Sequence, residues 1–129
     1  MILLDTHVLV WMSLDPNRLS KEASAAIQGA RSRSGICISD ITLWEIALLA
    51  RHGRIEIIGT IDSFVHEISA PVVIKPITAA IASMAVQFPE EYPKDPADRL
   101  IGATARVEML PLVTADEQLR RSPLLDTIW

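Results

Sequence analysis

Residues 35–51 read GICISDITLWEIALLAR. Gly35–Ser39 is a short apolar run of strand length. Ile41–Arg51 carries apolar residues three and four apart, the spacing of a helix packed along one face. A strand that turns directly into a helix is half of a β–α–β unit, and the same alternation recurs along the chain. Ile2–Leu4, Pro71–Lys75 and Pro111–Thr114 are three more runs of strand length, while Ser20–Ala30, Ile61–Ser69, Thr78–Val86 and Pro96–Met109 have helical spacing. In the last of these, Ala97, Leu100, Ile101, Thr104 and Ala105 form one stripe. Gly53 is read as a helix stop, and Pro89, Pro93 and Pro96 as a rigid connection. Runs that are apolar throughout predict strands buried on both faces. Strands alternating with helices predict an α/β architecture with a mainly parallel sheet and right-handed crossovers. In such a sheet the strand-to-helix turns gather at the carboxyl edge, where ligands bind.

The chain has 129 residues, half of them apolar and 22% charged. That balance predicts one compact domain over residues 1–129 and excludes disordered and collagen-like classes. Cys37 is the only cysteine. It excludes an internal disulfide framework and a multi-cysteine metal site, and a cytoplasmic location is expected. The opening MILLDTHVLVWMSL lacks a basic flank and a small-residue cleavage site and is cut by Asp5 and His7, so neither a signal peptide nor a membrane span is expected. Sixteen acids against twelve bases give a net charge of −4, unlike a nonspecific nucleic-acid binder.

The acids are placed with some order. Asp5 ends the first strand run, Glu45 lies about a turn into the helix after GICIS, and Asp116 follows PLVT by two residues. Asp98 sits in the first turn of the Pro96–Met109 helix and joins them if that helix starts at the same edge. Clustered carboxylates repel unless a cation or proton intervenes, and an all-oxygen set suits Mg²⁺ or Mn²⁺, cations that commonly work on phosphates. Each acid alone has a commoner role as a helix cap. Asp95 before Pro96 reads as an N-cap, Thr42-x-x-Glu45 and Thr114-x-x-Glu117 fit capping boxes, and Asp5 is a fair N-cap for a helix starting at Thr6. Four such coincidences on one edge favour a site. Ser39 and Thr114, at strand ends, either orient a metal-bound water or cap helices. Trp11 and Trp44 are expected in the core, His7 as a packed or partly exposed helix residue, and Cys37 as a buried, inert thiol.

Four linked motifs, LLDTHVLVW at 3–11, ISDITLWEIA at 38–47, KDPADRLIGATA at 94–105 and LPLVTADEQLR at 110–120, together with the terminal IW, resemble the PIN-domain ribonucleases of the VapC toxin type. The resemblance covers nearly the whole chain. It implies a doubly wound, three-layer α/β/α sandwich and a Mg²⁺- or Mn²⁺-dependent endoribonuclease acting on single-stranded RNA. It further implies a homodimer, neutralisation by a cognate antitoxin, and contact with DNA only through that antitoxin. Carried over by position, the family's acids fall on Asp5, Glu45, Asp98 and Asp116. Asp95 matches an extra acid of the DPxDRL subgroup and, with Thr6, Ser39 and Thr114, would support the metal ligands. Setting the four acids aside leaves twelve acids against twelve bases, so RNA affinity is no longer opposed by bulk charge.

Two other classes share parts of this pattern. A phosphoacceptor receiver domain wants paired acids after its first strand, whereas Thr6 and His7 follow Asp5. A non-catalytic interaction module of the same fold predicts no metal-dependent cleavage.

Overall fold

A computed structural model describes residues 1–129. The strands are β1 (Ile2–Leu4), β2 (Ile36–Ser39), β3 (Val73–Lys75), β4 (Leu112–Val113) and β5 (Thr127–Ile128), and all four pairings between them are parallel. The helices are α1 (Thr6–Leu14), α2 (Lys21–Arg31), α3 (Asp40–Arg51), α4 (Ile61–Ser69), α5 (Ala79–Val86), α6 (Pro96–Val107) and α7 (Glu117–Arg121), with a 3₁₀ turn at Pro16–Arg18.

Strand order is β3-β2-β1-β4-β5. The chain builds outward from β1 in one direction, then returns to pair β4 against its other edge. The order therefore reverses between β1 and β4, the place in an open α/β sheet where a crevice forms at the carboxyl ends.

Period-two alternation along the strands divides the interior into two cores. Ile2, Leu4, Ile36, Ile38 and Val113 face one side, against Val8 and Leu9 of α1, Ala23 and Ile27 of α2, Ile46 of α3 and Phe64 and Ile68 of α4. Leu3, Cys37 and Leu112 face the other, against Ile81 and Ala85 of α5, Ile101 and Ala105 of α6 and Leu119 of α7. This is the three-layer α/β/α sandwich, with α3 contributing Ile46 to one core while Ile41 leans on the other.

Several boundaries fall a residue or two inside the predicted ranges, at two helix starts because the end residue serves as the cap. Ser20 and Thr78 accept hydrogen bonds from the N–H groups of Ala23 and Ile81, at 3.0 and 3.2 Å, and so precede their helices. Gly53 closes α3 with φ +68°, as expected of a residue in the left-handed region. The Pro96–Met109 helix stops at Val107, and Met109 follows with φ +56°.

Four expectations need correcting. PVVIK is not buried on both faces: β3 is an edge strand, and Val73 and Ile74 are exposed. Trp44 is 59% exposed and is no core residue, whereas Trp11 does pack inward, 5.8 Å from the Trp129 ring. The capping box at Thr42-x-x-Glu45 is absent because Ser39 caps α3, accepting from the Ile41 N–H at 3.4 Å. Thr114-x-x-Glu117 fails likewise, because Asp116 caps α7. Cys37 is fully buried as expected, its thiol donating to the Ile2 carbonyl at 3.3 Å, and burial pushes it up to about 11.

Candidate functional site

The acids gather at the carboxyl ends of β1 and β4. Asp5 follows β1 directly and is 7% exposed. The β1–β4 pairing runs to the strand end through the Asp5 N–H donating to the Val113 carbonyl at 3.0 Å. Each carboxylate oxygen of Asp5 has a partner: the Thr6 N–H donates to Oδ1 at 2.8 Å and the Thr114 hydroxyl to Oδ2 at 2.7 Å. Asp5 is thus the N-cap of α1 and the anchor of the crevice at once. Thr114 also accepts the Asp116 N–H at 3.1 Å, so one buried hydroxyl ties the first acid to the turn that carries the fourth.

Glu45 arrives from α3. The Thr6 hydroxyl donates to its Oε1 at 2.5 Å and lies 3.0 Å from the Thr42 hydroxyl. Because the Thr6 proton is committed to Glu45, Thr42 is the donor in the second pair. Thr42 is fully buried. The sequence reading missed its role, since it stood there only as half of a capping box. Its position three residues before Glu45, on the same helical face, was the available signal.

Asp98 occupies the first turn of α6, and Asp95 is that helix's N-cap, its Oδ2 accepting the Asp98 N–H at 3.1 Å. Asp116 caps α7 through Oδ1, which accepts from Gln118 and Leu119 N–H groups at 2.8 and 3.3 Å. Asp95 and Asp116 are exposed, and each keeps one carboxylate oxygen free of these cap bonds.

Electrostatics shows that the acids share one field. The Asp98 carboxyl is pushed up to about 7, first by burial and then by the negative charges of Asp5, Asp95, Asp116 and Glu45. Burial raises Asp5 as well, with the Thr114 and Thr6 hydrogen bonds pulling against it and Asp116 adding to it. Glu45 is raised by burial and by Asp5 and Asp95, against the opposing Thr6 bond. A charge at Asp98 is disfavoured by every other acid of the set, which marks where a cation would be most stabilised.

No three Asp, Glu, His or Cys side chains close into a cage in this arrangement. The donor set nevertheless fits a hard divalent cation. It is all carboxylate, it repels itself, and it retains free oxygens on Asp95 and Asp116. The Ser39 hydroxyl serves the α3 N-terminus, accepting from the Ile41 N–H. His7 is exposed two residues beyond Asp5, where its charge would favour ionised Asp5 and Glu45.

Comparison with known proteins agrees with this layout. A profile of the PIN domain matches residues 2–123. Over 130 aligned residues the chain is 40% identical to Ribonuclease VapC22 of Mycobacterium tuberculosis, covering 99% of this chain and 98% of that protein. Among solved structures, VapBC2 from Rickettsia felis bound to a DNA fragment from its promoter matches with TM-score 0.74 over 98% of this chain and 97% of that one, at 20% identity. DNA-bound VapBC from Salmonella typhimurium matches with TM-score 0.73 over the same shares at 21% identity. FitAcB from Neisseria gonorrhoeae matches with TM-score 0.68 at 24% identity, over 98% and 96%. The structural likenesses carry the fold, and the whole-length sequence match carries the family: this chain belongs to the PIN-domain family, among its VapC-type members.

Proposed function

We propose that this protein is the toxin of a toxin–antitoxin pair, an endoribonuclease that cuts single-stranded RNA with the help of Mg²⁺ or Mn²⁺. The observation that carries the reading is the gathering of Asp5, Glu45, Asp98 and Asp116 at the carboxyl ends of β1 and β4, tied by Thr6 and Thr114, with Asp98 raised by burial first and then by the charge of the others. The ribonuclease name of the 40%-identical relative supports the activity, and the toxin–antitoxin complexes among the structural matches support the partner.

Asp5, Glu45, Asp98 and Asp116 would hold the cation, with Asp95 available beside them. Bound there, a divalent cation supplies a more acidic water and a counter-charge for the phosphate. The chain's own contribution is placement. Thr114 and the Thr6 N–H fix both oxygens of Asp5, and Thr6, held by Thr42, fixes Glu45, so neither carboxylate has to be ordered when substrate arrives. The site offers no Ser, Cys or His nucleophile, so hydrolysis by water is the chemistry it can support.

Purified protein is therefore expected to cleave single-stranded RNA with Mg²⁺ or Mn²⁺ and to lose that activity in excess chelator. Equal cleavage with chelator present refutes the metal requirement. A non-catalytic module of this fold would cut nothing under either condition.

The proposed partners are RNA, a cognate antitoxin and a second copy of the chain. Promoter DNA would be met only through the antitoxin, because the sequence carries no helix-turn-helix signal and no basic stripe. Trp44, Val73, Ile74, Val86 and Met109 leave apolar surface uncovered on the isolated chain. Light scattering at tens of micromolar is expected to return twice the 14.2 kDa chain mass, and the chain mass itself would count against the dimer. No helix is long and apolar enough to cross a membrane.

A further inference from the structure

The connection from α5 to α6, residues 87–95, is fastened to α6 by two side chains. Arg99 reaches back from the first turns of α6, its Nη1 donating to the carbonyls of Ala85 at 3.2 Å and Phe88 at 3.3 Å and its Nη2 to that of Tyr92 at 3.5 Å. Its guanidinium also lies 5.8 Å from the Tyr92 ring centroid. Tyr92 is 3% exposed and stacks on Phe88 with centroids 4.1 Å apart. Its hydroxyl donates at 2.9 Å to the backbone carbonyl of Asp98, the residue proposed as the third ligand.

That hydrogen bond depends on an absent side chain. The carbonyl of Asp98 is the one that the N–H of Gly102 meets in the i→i−4 ladder, so the phenol must enter where the side chain of residue 102 would stand. A Cβ at Gly102 would fall on the Tyr92 hydroxyl and press on the ring carbon that bears it. Glycine in a helix interior is unfavourable relative to alanine, and here its lack of a side chain admits the phenol.

We infer that Tyr92, seated in the Gly102 notch and held by Arg99, is a positioning residue that fixes the first turn of α6 and so sets where the Asp98 carboxylate stands for the cation. The inference rests on the metal-site reading above. Outer groups that orient a ligand typically govern metal affinity more than chemistry at saturation. Tyr92→Phe removes the hydroxyl and keeps the stacking on Phe88. Gly102→Ala evicts the phenol from the other side.

The test is binding of Mn²⁺ alone, followed by the electron paramagnetic resonance signal of the free ion. It compares wild type, Asp98→Asn, Tyr92→Phe, Gly102→Ala and the double variant, with circular dichroism as the check on folding. Wild type is expected to bind and Asp98→Asn to lose binding. Tyr92→Phe and Gly102→Ala should each weaken affinity by about 10-fold or more, with the double variant no worse than the weaker single, since both remove the same bond. RNA cleavage by Tyr92→Phe should recover towards wild type as Mn²⁺ is raised. Unchanged Mn²⁺ affinity in folded Tyr92→Phe overturns the inference, whatever happens to its melting temperature. So does full additivity of the two substitutions. Absence of Mn²⁺ binding by wild type overturns the metal-site reading and this inference together, whereas wild-type binding with indifferent Tyr92→Phe overturns this inference alone.

Discussion

Asp98→Asn is expected to melt above wild type in metal-free buffer while losing both RNA cleavage and the stabilisation that Mg²⁺ or Mn²⁺ confers. The folded-state carboxyl stands at about 7 against an ordinary 3.8, so folding is penalised once the group must ionise. Taken whole, that distance is worth about 4 kcal/mol, and solvent screening at a partly exposed site reduces it to about 1–2 kcal/mol. The amide forfeits a first-turn dipole interaction of about 0.3–1 kcal/mol. The net gain is on the order of 1 kcal/mol, or roughly 3–6 °C for a chain of this size. The sign with pH follows from a raised acid. The penalty is absent below about pH 4, grows through the interval up to 7 and is complete above it, so metal-free wild type should lose stability across that window relative to the variant. Melting curves from pH 4 to 8, with and without Mg²⁺, measure all of this. A lower melting temperature with an undiminished metal response would make Asp98 a plain first-turn helix acid. Loss of cleavage and of the metal response in Asp95→Asn instead would move the third ligand to that residue.

Thr114→Val should injure the site without emptying any space. Valine has nearly the shape of threonine, so the change isolates a hydroxyl that is fully buried and engaged twice, donating to Asp5 Oδ2 and accepting from the Asp116 N–H. Removing it strands a buried carboxylate oxygen and loosens the turn holding Asp116. A cost of about 1–3 kcal/mol in urea unfolding is expected from the stranded oxygen, with Mn²⁺ affinity reduced by about 10- to 100-fold. Asp5 should become harder to ionise, since this hydrogen bond is the strongest influence holding its carboxyl down against burial. Wild-type Mn²⁺ affinity in a destabilised Thr114→Val protein would confine the residue to folding.

Much of this was legible before any coordinates. The three buried strands, β1, β2 and β4, are marked by uninterrupted apolar runs, and Asp5 and Asp116 could be placed at strand ends on that basis. Asp98 was less secure, because a first-turn helix acid and a metal ligand look identical until the helix start is known to lie at the sheet's carboxyl edge. The edge strand β3 misled because an apolar run does not reveal whether a neighbour covers it. Strand β5 and helix α7 are two and five residues long, too short for periodicity to register, and they are held by pairing with β4 and by burial of Leu119 in the core. Trp44 misled for the opposite reason: its helical spacing is sound, but spacing does not say which face meets solvent. Thr42 acts through a hydroxyl contact with Thr6, 36 residues away, and Tyr92 through one to the backbone of Asp98, and no periodicity encodes either.

The reversal of strand order at β1 has a temporal side. Asp5 and Thr114 are hydrogen-bonded across 109 positions of sequence. A chain made from its N-terminus outward therefore exposes Asp5 and Glu45 long before β4, Thr114 and Asp116 exist, and β1 must wait for its second neighbour until β4 has been made. For a protein whose proposed target is RNA in the cell that makes it, the connectivity itself postpones completion of the proposed site until the segment carrying β4 and Asp116 has been made.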